Sequence, residues 1–437
     1  MKTKRTYRSV EIKQLEAARL AGLLTTLTVV IAIDVAKAKQ VVAFCDAQGR
    51  CQALMHYAHP GQTQLFLELL RSLVSAGKQL QVVLEPTGTY GDVLMHQLHQ
   101  TGIAVHLVSP KKTHDAQELF DGVPSQHDGK DATVIARLHA QGLSRRWEPT
   151  SEQQRTLRAV VSQREMYAQI RERLHGQLEP LLVRYWPELQ GLLDVRSQQS
   201  ALRFLVDFPT PDLVRTEPAQ AQECLRRYSR GLLRLDKRQA VLESAQKSLG
   251  LPALPAEKEL VREIAGELHR VTARIEELDG KLRQTFKTQP LLEPLVHMVG
   301  ATTCAVLLSR LGDLQGYRSV GALEKACGLN LRERSSGTYQ GALHITKRGP
   351  SIVRKYLFLA SLRWIQTDPL AAAWYQRRSG YTELSKLRAV VALMRKLVRA
   401  LFHLGRGKPY DAHLLFDTAR LKPRPLKPLF GAAAVEA

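Results

Sequence analysis

An α/β amino-terminal domain, a helical middle and a mainly α carboxyl-terminal domain is the architecture this 437-residue sequence predicts. Three observations predict it. β-branched apolar runs alternate with stretches of helical spacing across residues 28–149. Strand signals then vanish, and from 150 to 288 apolar residues recur at helical intervals. From 289 to 412 helical spacing continues, broken by glycine-rich turns and crowded with cations. The chain is long enough for two or three domains, each with its own core.

Residues 1–27 mix basic side chains with Ile12, Leu15, Leu20 and Leu23 and read as a basic helical extension. Thr28 to Asp34 is a β-branched run closed by an acid, and Gln40 to Phe44 is a second strand. The few residues between them suit a hairpin better than a helical crossover. Thr63 to Ala76 has helical spacing. Gln81 to Glu85 is another apolar strand ending on an acid, followed by the turn Pro86-Thr-Gly-Thr. Tyr90 to Thr101 reads as a helix and Ile103 to Val108 as a strand, completing an α/β domain over 28–149. In the middle region Val261, Ile264, Leu268, Val271, Ile275, Leu278 and Leu282 are spaced three and four apart, a heptad seam of about three repeats. That seam predicts an elongated helix that either packs within its own domain or pairs two chains as a coiled coil. In the last region Leu291 to Leu311 reads as two helices broken at Gly300, and two basic helices follow, one with Arg354 and one with Arg395 and Arg399. Residues 413–437 read as a basic, fraying tail.

Charge narrows the function. Lys and Arg number 63 against 41 Asp and Glu, a net charge of +22. Residues 289–437 hold 23 basic and 9 acidic side chains, so most of the excess sits in the last third. That concentration predicts a polyanion-binding surface, with Lys347, Arg348, Arg354, Arg395 and Arg399 as its phosphate contacts. Charge alone does not separate DNA from RNA. Five cysteines without a CxxC pair argue against a zinc site and suit a reducing cytoplasm. The apolar run Leu20 to Ile33 is too short to span a bilayer, so no membrane partner is expected.

Four acids are the candidates for chemistry. Asp34 and Glu85 each follow a run of buried strand positions, where an unpaired carboxylate is costly. They lie side by side if their strands are neighbours. Asp128 and Asp131 are three apart at an expected helix start and so share a helical face. Singly, each has an ordinary structural role open to it: Asp128 as an N-cap, Asp131 as a first-turn acid, Asp34 and Glu85 as salt-bridge partners. Together they would make a hard-oxygen cage suited to Mg²⁺ or Mn²⁺, a common phosphodiester-cleaving device.

The segments Ala32-Ile-Asp34-Val-Ala-Lys37, Leu84-Glu85-Pro-Thr-Gly88 and Asp128-Gly-Lys-Asp131 through Arg137 resemble the amino-terminal domain of the DEDD-type transposases of the insertion-sequence one-ten family, which includes the Piv-type DNA invertases. Leu307 to Asp313, Cys327-Gly-Leu329, Ser335-Ser-Gly337 and Ile345-Thr-Lys-Arg-Gly349 resemble that family's carboxyl-terminal domain over residues 289–412. The resemblance runs in order over about 28–412. It implies a RuvC-like, RNase H-like fold over 28–149 that binds divalent metal through Asp34, Glu85, Asp128 and Asp131. It implies Ser336 as a nucleophile meeting the acid site in an assembled homo-oligomer, a dimer or tetramer. It further implies a cytoplasmic, nucleoid-associated DNA recombinase guided by a structured noncoding RNA. From the residues alone, a Ser-Ser-Gly turn is most often only a turn, and two other readings stay open: a hydrolytic, structure-selective nuclease and a non-catalytic nucleic-acid scaffold.

Overall fold

The computed structural model describes residues 8–86, 88–120, 122, 127–333, 335–336 and 339–421. The chain divides into two compact units, 1–150 and 151–437.

The first unit is a mixed sheet with helices on both faces. In chain order it holds β1 (Val10–Glu11), α1 (Ala17–Leu23), β2 (Thr28–Asp34), β3 (Lys39–Cys45), β4 (Cys51–Ala58), α2 (Thr63–Ser75), β5 (Gln79–Leu84), α3 (Asp92–Gln100), β6 (Ala104–Leu107), α4 (Pro110–Asp115), α5 (Asp128–Ala140) and β7 (Arg145–Arg146). The seven strands lie in the order β1-β4-β3-β2-β5-β6-β7. β2, β3 and β4 form an antiparallel meander, while β5 and β6 add in parallel beside β2. Strand alternation divides the core in two. Val29, Ile31 and Ile33 face α2 and α3 with Phe66, Leu70, Leu94 and Leu98. Val30, Ala32 and Val83 face α5 with Ala132, Ile135 and Ala136.

The sequence does not predict β4, whose Cys51 to Ala58 lacks a clean β-branched run, yet it pairs with β3 along its length. The extension is also more than helical. Val10–Glu11 pairs in parallel with Met55–His56 at the sheet edge, and Ile12, Leu20 and Leu24 are buried in the core. Leu23, by contrast, points outward. Residues 1–7 of the extension and 422–437 of the basic tail lie outside the described residues.

The second unit is mainly helical: α6 (Glu152–Tyr185), α7 (Gln199–Asp207), α8 (Pro211–Thr216), α9 (Pro218–Tyr228), α10 (Leu235–Gln246), α11 (Pro255–Lys287), α12 (Glu293–Val299), α13 (Ala301–Leu311), α14 (Val320–Ala326), α15 (Ser351–Thr367), α16 (Pro369–Arg378) and α17 (Glu383–Leu404). Two short hairpins precede α15: β8 (Leu331–Arg332) pairs with β11 (His344–Ile345), and β9 (Ser335–Ser336) with β10 (Tyr339–Gln340). All seven seam residues of α11 are buried, and they are covered by this same chain. Val261, Ile264 and Leu268 pack with α7 and the end of α6. Val271 and Ile275 meet Ala168, and Leu282 joins the carboxyl-terminal core beside Val161. The heptad therefore closes an intrachain antiparallel helix pair, the first of the two alternatives that the seam leaves open. No single helix among the described residues is long and apolar enough to cross a membrane.

Candidate functional site

The acid site follows from strand register. β2 and β5 are parallel neighbours with Ile33 opposite Leu84, so Asp34 and Glu85 emerge together at the carboxyl ends of two central strands. Val30 and Ala32 face α5, as does Val83; two residues further on, Asp34 and Glu85 continue on that face. α5 starts there. Its N-cap is His127, whose Nδ1 accepts from the Gly129 amide at 3.1 Å. Asp128 is therefore not the cap but the first helical residue, which leaves its carboxylate exposed and unused by the helix end. Asp131 lies one turn on, half-buried, accepting from Gln117 Nε2 at 3.2 Å. Gln117 carries no motif in the sequence, and only the fold brings it here.

The four carboxylates lie within one another's field. Burial first, and then the charges of Asp131, Asp128 and Glu85, together raise the Asp34 carboxyl from 3.8 to about 6. Burial also raises Asp131; the Gln117 hydrogen bond opposes that rise and Asp128 adds to it. Hard carboxylate oxygens in a concentrated negative field are a donor set that fits a divalent cation. Among the described residues, no three acidic, histidine or cysteine side chains stand close enough to enclose an ion as placed. The arrangement brings the acids to the ends of those strands but does not draw them into a closed cage.

α5 is seated by a close backbone approach. Gly49 has φ +77°, and a Cβ there would sit 2.8 Å from Arg137 Cα. Only glycine lets the β3–β4 turn cross the helix this closely. Arg137 in turn lies over the Phe120 ring at 4.9 Å.

Ser336 sits in the second unit on β9, exposed, with its backbone in register with Tyr339. Its neighbour Ser335 donates to Glu333, whereas Ser336 Oγ has no hydrogen-bond partner among the described residues. Gly337, part of the same motif, lies outside them. The five predicted phosphate contacts divide. Lys347, Arg348 and Arg399 are exposed. Lys347 and Arg348 are lifted by a turn that packs backbone against backbone, since a Cβ on Gly349 would sit 2.4 Å from the Ala326 carbonyl. Arg354 instead donates to the Gly349 carbonyl at 2.7 Å, and Arg395 pairs with the buried Glu324 at 2.8 Å. Those two cations brace the fold. The sequence could not separate them from the others, because their partners lie elsewhere in the chain.

Comparison with known proteins matches both halves. Residues 31–187 match the family DEDD_Tnp_IS110, described as a transposase, and residues 296–376 match the transposase family described as IS116/IS110/IS902. The first segment contains all four acids and the second contains Ser336. An insertion element IS116 protein of 44.8 kDa from Streptomyces clavuligerus is 27% identical over 293 residues, 64% of this chain and 71% of that protein. An insertion element IS110 protein of 43.6 kDa from Streptomyces coelicolor is 24% identical over 343 residues, covering 76% and 84% respectively. The pilin gene-inverting protein of Moraxella bovis is 28% identical over 111 residues, 25% of this chain and 34% of that protein. Two family matches in the right order, with insertion-element relatives aligned over 64% and 76% of the chain, place it in the IS110 family of insertion-sequence transposases.

Proposed function

We propose that this transposase cuts and rejoins DNA through a serine–phosphate intermediate, with Ser336 as nucleophile and Asp34, Glu85, Asp128 and Asp131 as a divalent-metal site. The observation that carries the reading is the convergence of those four acids at the end of two parallel strands and one helix. Strand order supports a RuvC-like, RNase H-like assignment: three antiparallel strands extended by two parallel ones, with the acids at the central pair and on the covering helix.

In this reading the four carboxylates would hold Mg²⁺ or Mn²⁺, which would supply Lewis-acid polarisation of the scissile phosphate. Gln117 orients Asp131. Ser336 Oγ attacks phosphorus as its proton passes to a carboxylate; the phosphorus–oxygen bond to the neighbouring nucleotide breaks, and the departing oxygen takes up a proton from the carboxylic acid so formed and leaves as a hydroxyl; rejoining reverses these steps. Lys347, Arg348 and Arg399 bind phosphate backbone. The family likeness supports DNA as substrate; a structured guide RNA and a homo-oligomer are the partners this reading adds to it. The 28–149 and 289–412 segments serve as acid domain and serine domain, joined by the helical 150–288.

The test is a denaturation-resistant adduct between protein and labelled DNA in Mg²⁺. Wild type forms it, and Ser336→Ala does not, while its metal-dependent melting shift persists. Ser335→Ala keeps substantial activity. Cleaved DNA from Ser336→Ala would overturn the serine mechanism in favour of a hydrolytic nuclease using the same acids.

A further inference from the structure

A second concave site lies in the transposase's last helices, almost wholly beyond the 296–376 family match. It is a cavity of about 700 Å³ between α16, α17 and the segment 417–421. Five cations line it, Arg377, Arg378, Arg388, Lys396 and Arg420, against the one carboxylate of Asp417. Three of these cations are held by the fold: Arg420 pairs with Asp417 at 3.1 Å, Arg377 donates to the Arg420 carbonyl at 2.8 Å, and Lys396 gives one of its three N–H bonds to the Leu415 carbonyl. Trp374 forms the wall, with Lys396 Nζ 5.3 Å and the Arg378 guanidinium 5.7 Å from its ring centre. Arg388 is exposed at the rim and has no ion-pair partner among the described residues.

We propose that this cavity captures a nucleotide unit of a single nucleic-acid strand, with Arg378, Arg388 and Lys396 on its phosphates. Charge and size carry the assignment. A cavity with five cations and one acid is built for an anion, and Lys396 is partly desolvated there: burial, with Arg399 and Arg378 nearby, lowers its pKa. About 700 Å³ suits one or two nucleotides, and a duplex is too wide to enter. The chain leaving Leu421 is itself basic, through Lys422, Arg424 and Lys427, so it is a poor occupant of a cationic cavity.

This inference rests on the reading that the protein handles nucleic acid, and its test separates the two. Fluorescence anisotropy of the full chain is measured with a labelled 12-nucleotide DNA strand, the same sequence as RNA, and the DNA duplex. The variants are the double substitution Arg378→Glu and Arg388→Glu, the packing-conserving Lys396→Met, and a double control, Lys347→Glu with Arg348→Glu. The cavity variants should weaken single-strand binding about tenfold and lower its salt slope by about one per lost contact, while duplex binding stays within about twofold. The control should weaken duplex binding. A loss confined to the DNA strand or to the RNA strand assigns the cavity to that polymer. Equal losses on strand and duplex, or none, overturn the cavity assignment. Failure of wild type to bind any of the three overturns the nucleic-acid reading instead.

Discussion

Asp34→Asn isolates the electrostatics of the acid site. In the folded protein Asp34 titrates at about 6 instead of 3.8, because burial and the charges of Asp131, Asp128 and Glu85 disfavour its ionised form. A carboxylate with a raised folded pKa has no effect on stability below the unfolded value, where it is protonated in both states. Its cost grows as pH climbs from 3.8 towards 6 and is full above that. The full cost is at most about 3 kcal/mol. Without divalent ions at pH 7.5, Asp34→Asn should therefore melt higher than wild type. The gain is up to roughly 5–10 °C for a unit of this size, and it should vanish near pH 4. Added Mg²⁺ or Mn²⁺ should reverse the order. Wild type gains about 4.1 kcal/mol at one thousand times its dissociation constant, more than the cost of the unpaired charge, whereas the variant, short of one ligand, gains much less. Differential scanning calorimetry at pH 4 and 7.5, in chelator and then in metal, reads all four values. An Asp34→Asn protein no more stable than wild type at pH 7.5 in chelator would refute the clustered-charge argument. An equal metal response in both proteins would refute the metal assignment.

Other perturbations follow from the packing. Gly49→Ala should destabilise the first unit by about 1–3 kcal/mol, through a positive-φ alanine and a clash with Arg137, and should weaken the metal-dependent melting shift. Leu268 is wholly buried within its own chain, so Leu268→Ala should cost about 2–5 kcal/mol in a denaturant melt at every protein concentration. A loss that disappears as protein concentration rises would point to a chain-pairing role after all. Glu165 is buried, which raises its pKa, but hydrogen bonds from Lys355 and Tyr356 win and hold it below 4.5. Its contribution is present above the unfolded value and is lost as pH falls through the folded one. Glu165→Gln should cost about 2 kcal/mol at neutral pH and flatten the acid limb of the stability curve.

What the sequence could disclose was local. Thr28 to Asp34 is read correctly to the residue, because β-branched side chains and a terminal acid mark a buried strand from within. The neighbourhood of Asp34 and Glu85 was conditional on strand order, which no local pattern supplies; the register of Ile33 with Leu84 provides it. β4 escaped because its pattern is set by its partner β3 rather than by its own residues. Arg354 and Arg395 looked like phosphate ligands because an internal acceptor and a solvent-facing anion call for the same side chain. The seam on α11 shows the same limit: a heptad declares that it will be covered, and only the tertiary structure says by what.

That covering helix has a mechanical meaning. α6 and α11 are 34 and 33 residues long, antiparallel, and each reaches two separate hydrophobic cores, one around Leu178, Leu182 and Val261 and the other around Val161 and Leu282. Helices of that length extend roughly 50 Å. The pair is a ruler whose graduation is the heptad. Seven residues added to both helices would keep every apolar tooth engaged and move the two cores about 10 Å apart. Seven added to one alone would strip the gear. The separation of the two cores is therefore set by helix length within the chain.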